Sequence, residues 1–158
     1  MKPDHGTNTV GPWAAQKLNA LEAYLRPYNI ALQYKPSREN PFERVYIDAF
    51  AGSPLSKIRG SGEPVEPSPF LLDTEDSEAQ EQFILGSPMR ALQLEPGFHR
   101  HYFFDLDKSR ADNLGEICAS CEGATVEVGD CNPRIRDLAR TTLCARNVRG
   151  VAFLVVKI

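Results

Sequence analysis

Apolar positions in the first part of the chain recur at steps of three and four: Ala14, Leu18, Leu21, Leu25 and Tyr28. That period predicts an amphipathic helix over residues 13–28, ended by Pro27 and the loop around Pro36 and Pro41. The pattern then changes to the continuous β-branched and aromatic run Val45-Tyr46-Ile47-Asp48-Ala49-Phe50, which stops at Ala51-Gly52. Such a run predicts a buried strand entering a turn. Further on, Gly86-Ser87-Pro88 predicts a short helix, with Ser87 as N-cap and Pro88 in its first position, ending near Pro96-Gly97. His101 to Phe104 predicts a second strand, closed by Asp105-Leu106-Asp107, and a helix over about 108–120 follows. Thr125 to Val128 predicts a third strand, ended by Gly129-Asp130; Asn132-Pro133 caps and opens a helix reaching about Ala145. Gly150 to Val156 predicts a fourth, wholly apolar strand.

From residue 45 the order is therefore strand, helix, strand, helix, strand, helix, strand. Apolar strands alternating with helices predict an α/β fold. In it a parallel sheet carries helices on both faces, a Rossmann-like doubly wound half-sheet. No internal repeat interrupts this order.

Composition changes the picture in one segment. From Gly60 to Met89 there is no Lys or Arg, while seven acids run from Glu63 to Glu81. The remainder of the chain holds 18 basic residues against 14 acidic ones, so the net charge of -3 belongs to a Pro- and Gly-rich insertion over about 53–86. A solvated loop is its ordinary meaning, and a docking surface for a basic partner is the sharper one. Otherwise 158 residues, 42% hydrophobic and 25% charged, suit one globular domain with its own core. The apolar run Val151 to Val156 is far shorter than the ~20 residues of a membrane helix. The polar start Met1-Lys2-Pro3-Asp4-His5 carries no secretory h-region, so a cytoplasmic location is expected. The overall charge makes no electrostatic case for nucleic acid.

The cysteines and histidines carry little chemistry. Cys118-Ala119-Ser120-Cys121 is a CxxC without a second one, and Cys131 and Cys144 stand alone. Ala111, Leu114, Cys118 and Cys121 share a helical face, which predicts buried thiols rather than zinc or a disulfide. His99 and His101 are expected at the surface or at a strand edge.

The strand ends are more informative. Ligands of parallel sheets bind outside the carboxyl ends of the strands. Here those ends carry Asp48 with Ala51 and Gly52, then Asp105 and Asp107, then Gly129, Asp130 and Asn132. A carboxylate after the second strand can accept both hydroxyls of a ribose, and one after the third can accept from the amino group of a base. Asp107, just before Lys108, is also a natural N-cap. No GxGxxG or P-loop motif is present.

In these stretches the chain resembles the three-Cys-motif partner proteins, bacterial proteins similar to S-adenosylmethionine-dependent methyltransferases. The likeness runs through Lys17-Leu18, Tyr24-Leu25, Tyr46 to Gly52, Arg59 to Glu63, Gly86-Ser87-Pro88, Ala91-Leu92, Tyr102 to Asp107 and Gly129 to Asn132. It spans about residues 13–154. The resemblance implies a Rossmann-like class I methyltransferase fold over 45–158, preceded by a helical extension over 1–44. It implies S-adenosylmethionine as cofactor, with Asp48, Ala51 and Gly52 at its methionine end, Asp105 at the ribose and Asp130 at the adenine amino group. Asn132 would cap the next helix.

Two departures qualify it. Ser53-Pro54 follows Gly52 where related motifs carry a second glycine, and the fourth strand runs into Leu154-Val155-Val156-Lys157-Ile158 instead of Asp-Pro-Tyr-Gly. The expectation is thus an incomplete fold with four parallel strands, C-terminally truncated and catalytically incompetent alone. Its expected partner is a three-Cys-motif protein or a chain completing the sheet. The alternative is a non-catalytic interaction module docking through the acidic insertion or the fourth-strand edge. Arg134, Arg136, Arg140, Arg146 and Arg149 would suit phosphates, although a solvated helix face accounts for them as well.

Overall fold

The computed structural model describes residues 8–58 and 83–155. Its main layer is a four-stranded parallel sheet made by β2 (Glu43–Asp48), β5 (Arg100–Asp105), β6 (Ala124–Val128) and β7 (Val148–Phe153). Their order is β6-β5-β2-β7. The chain is therefore α/β, and the winding reverses between β2 and β7, where doubly wound sheets open a crevice.

Alternation within the strands sorts side chains between two faces. Tyr46 and Phe103 join Leu21 and Leu25 of α1 (Pro12–Leu32), Ala91 of α2 (Ser87–Leu92) and Leu114 and Cys118 of α3 (Lys108–Cys118) in one core. Val45, Ile47, Phe104 and Val148 turn the other way and pack with Cys131, Ile135 and Leu138 of α4 (Cys131–Thr141). Helices therefore cover both faces, as the sequence predicts.

Several boundaries differ from expectation. Pro27 does not end α1, which continues to Leu32. Leu21, Leu25 and Asn29 are all buried at four-residue spacing across the proline, so packing outweighs the backbone bond that Pro27 cannot donate. The predicted helical extension also contributes a strand, β1 (Asn8–Val10), and the insertion is structured at its flanks as β3 (Leu55–Ile58) and β4 (Phe83–Leu85). These form a second sheet in the order β1-β3-β4, parallel then antiparallel. Three- and four-residue strands are too short to show a period, and their partners lie far away in sequence. The fourth strand, predicted over Gly150 to Val156, instead runs from Val148 to Phe153, with Leu154 and Val155 outside it; the acidic run from Glu63 to Glu81 and Val156 lie outside the described residues.

Candidate functional site

The carboxyl ends of β2, β5 and β6 bring the expected residues to one edge. Asp48, the last residue of β2, is completely buried. Its Oδ2 accepts from Ser87 Oγ at 2.5 Å and Tyr46 Oη at 3.2 Å, and its Oδ1 accepts from Phe50 N at 3.3 Å. Burial pushes the carboxyl up to about 6; the three hydrogen bonds oppose the rise and nearby Asp105 adds to it. Asp48 therefore shapes the loop after β2 from below and presents no oxygen to solvent.

Ser87 is not the N-cap the sequence predicts. Gly86 occupies that position, without a side-chain bond, and the Ser87 hydroxyl serves Asp48 instead. A buried carboxylate is the stronger acceptor, so it takes the available donor.

Ala51 is buried, and its N–H donates to Phe104 O at 2.9 Å, tying the loop to β5. Gly52 adopts φ 68, a left-handed conformation that favours glycine. Its N–H donates to Asp105 Oδ2 at 2.9 Å. Asp105, the last residue of β5, is the hub of the edge. Its Oδ1 accepts from Asp107 N at 2.8 Å and Arg110 Nη2 at 2.8 Å, and its Oδ2 accepts a further bond from Arg110 Nε at 3.0 Å. Although burial raises the Asp105 carboxyl, bonds from Arg110, Asp107 and Gly52 together hold it below its usual value. Four donors fill the roughly four acceptor positions of the carboxylate, and Arg110 supplies two of them.

Asp107 is the N-cap of α3, accepting from Arg110 N at 2.9 Å. Asp130 is exposed at the third strand end, linked to the hub through the Gly129 N–H, which donates to the Asp105 carbonyl at 2.9 Å. The structure corrects the expected cap of α4: Asp130, not Asn132, holds that position and accepts from Asn132 N at 2.9 Å. The helix starts at Cys131, so Pro133 falls in the first turn, where a missing N–H costs no intrahelical bond. Asp48, Ala51, Gly52 and Asp105 thus form one connected group, and Asp130 stands beside it.

Around this group the strand ends expose apolar side chains: Phe50, Leu106, Val128 and Leu154, with Leu106 70% exposed. An open groove runs beside it between α3 and β6, lined by Ala111, Gly115, Val126 and Val128 among others. Three participants escape sequence reading. Tyr46 shares a strand face with Asp48 two residues on, a signal that alternation carries. Arg110 sits five residues after Asp105 in the first turn of α3. Ser87 has no local signal at all.

The remaining candidates separate clearly. His101, expected at the surface or at a strand edge, is buried on the inner strand β5 and stacked on Phe103 with ring centroids 5.9 Å apart. Alternation along β5 sends it to the same face as Phe103, and burial lowers its pKa. His99 is exposed, and its Nδ1 accepts from Arg44 N at 2.9 Å. The four cysteines are free; Cys118 is buried in α3, which pushes its thiol up to about 11. Among the described residues no group of three His, Cys, Asp or Glu could hold a metal, and no helix is long and apolar enough to cross a membrane. Arg134 is paired with Glu127. No protein-family model matches the chain, and no curated protein matches it.

Proposed function

We propose that the carboxyl edge of the sheet binds S-adenosylmethionine, in the manner of a methyltransferase-like protein resembling the three-Cys-motif partners. The observation that carries this reading is the Asp105 carboxylate, fixed by the Gly52 and Asp107 amides with one acceptor position on each oxygen taken only by the Arg110 side chain. A ribose diol has two donors at that spacing. With Arg110 swung away, the diol would find both positions open and the carboxylate already oriented.

Other groups suit the rest of the ligand. Among the described residues a Cβ at Gly52 would meet only Phe50 O, at 3.8 Å, an ordinary contact that leaves these residues room for a close approach. The exposed Leu106 side chain supplies an apolar surface for a purine, and Asp130 accepts from Asn132 through Oδ1, leaving Oδ2 for an amino group. The bound cofactor would supply an electrophilic methyl group on its sulfonium. The residues named here would bind and orient it.

The test is calorimetric titration of the full chain with S-adenosylmethionine and S-adenosylhomocysteine. Saturable binding is expected. Asp105→Asn should weaken it about 10- to 100-fold, the worth of ~1.5–3 kcal/mol for bonds to a charged group. Arg110→Gln should tighten it several-fold by removing the internal competitor. Absence of binding by both wild type and the Arg110 variant overturns the proposal.

A further inference from the structure

The opposite, amino edge of the sheet holds an arrangement that the nucleoside reading does not use. Arg44 of β2 and Arg149 of β7 are register partners in neighbouring parallel strands. Register partners point to the same face, and Tyr46 and Val151, two residues further along each strand, belong to the core beneath α1. The two guanidiniums therefore lie on the α1 side of the sheet. Arg44 is 6% exposed, and its Nε has no hydrogen-bond partner among the described residues. Its one side-chain hydrogen bond is from Nη2 to the Gly97 carbonyl at 2.9 Å.

Arg149 lies with its guanidinium carbon 3.9 Å from the Phe42 ring centre and donates only to the Arg146 and Val148 carbonyls. Tyr28 completes the cluster: its ring stacks on Phe98, next to Gly97, with centroids 6.2 Å apart. Burial raises the Tyr28 phenol above its usual value, while Arg149 and Arg44 pull it down, so both guanidiniums are within electrostatic reach.

Among the described residues no carboxylate pairs with either arginine. The nearest acid in sequence, Glu43, alternates to the other face and is paired with Arg100. Like charges at paired strand positions repel, and a buried charge without a counter-charge is costly. An anion placed between them removes both penalties. We propose that Arg44, Arg149 and Tyr28 form a binding site for a small tetrahedral oxyanion of the phosphate class, separate from the carboxyl edge. Arginine nitrogens would donate to its oxygens as paired, charge-assisted bonds, and the tyrosine hydroxyl would add a neutral donor.

The experiment titrates the full chain with inorganic phosphate and with pyrophosphate at an ionic strength held constant with sodium chloride, reading heat of binding and melting temperature. Saturable binding is expected, with a rise in melting temperature that chloride does not produce. Arg149→Gln, at an exposed position, should weaken binding at least ~10-fold, and Tyr28→Phe by a smaller factor, while Arg44→Gln should abolish it. Should Arg44→Gln fail to fold, the Arg149 and Tyr28 variants carry the test. Arg110→Gln, which removes the cation of the other edge, should bind phosphate like the wild type. Phosphate binding no stronger than chloride, or unchanged in Arg149→Gln, overturns the inference. Weakening by Arg110→Gln would also overturn it, since the anion would then be held at the carboxyl edge by the guanidinium that pairs with Asp105.

Discussion

At the scale of the residue, the chemistry of this protein turns on two carboxylates treated oppositely by their surroundings. Asp105 is surrounded by donors and kept ionised. Asp48 is enclosed, and the same physics raises it from 3.8 to about 6. Between those values the folded chain keeps a proton that the unfolded chain has released. Raising the pH through about 4 to 6 therefore weakens the fold through Asp48. The shift corresponds to about 3 kcal/mol at ~1.36 kcal/mol per pKa unit. Asp105 works in the other direction, contributing stability above the ordinary carboxylate range that is lost as its folded state protonates. The buried His101, lowered from 6.5, likewise contributes stability that is lost as the pH falls.

Comparison with Asp48→Asn cancels those other groups. Denaturant unfolding should show the stability advantage of the wild type over the variant shrinking by about 2 kcal/mol between pH 4 and pH 7. A difference independent of pH would show that Asp48 titrates as an exposed acid. Position and type of both acids were legible in the sequence, since strand ends are marked by the apolar runs before them. Their partners were legible only in part. Tyr46 follows from alternation, whereas Ser87, 39 residues from Asp48, meets it only through the packing of α2 on β2.

At the scale of the element, local signals compete with packing and sometimes lose. In α1, Pro27 is exposed and takes one backbone bond out of a helix that Leu21, Leu25 and Asn29 hold in place from the other side. Pro27→Ala restores an amide able to donate to the Ala23 carbonyl and adds a better helix former. It should stabilise the chain by about 1–3 kcal/mol, visible as a higher urea midpoint. Unchanged or lower stability would mean that the proline suits the local backbone. Capping follows the same logic. Asp107 caps α3 as its sequence position suggests, but at α4 the competition between Asp130 and Asn132 is settled by where β6 ends. The turn after β6 places Asp130 one residue before the first helical turn.

The small sheet was not legible at all. β1 and β3 are three and four residues long, and nothing local pairs Asn8 with Ser56.

At the scale of the whole molecule, strand order decides where function can lie. β2 is central, flanked by β5 and β7, so the ends of three strands meet around Asp48 and Asp105 while their beginnings bring Arg44 beside Arg149. Among the described residues β7 pairs on one side only, with Ala152 and Leu154 exposed. An unpaired apolar edge is a template for another strand. The purified chain should self-associate with rising concentration in sedimentation velocity, and Ala152→Lys should shift it toward monomer. A wild-type chain that stays monomeric at every concentration would show that the edge is already protected.

The sequence by itself determined the α/β alternation, the buried strand β2, the acids at the strand ends and the Asp107 cap. Each depends on residues a few positions apart, which hydrophobic period and capping chemistry can read. The tertiary structure alone decided that Ser87 serves Asp48, that the Gly52 amide orients Asp105, that Arg110 donates to both oxygens of Asp105, and that two arginines share one face. Those arrangements depend on sheet order, register and side-chain choice among several possible partners, and these are set only when the layers pack.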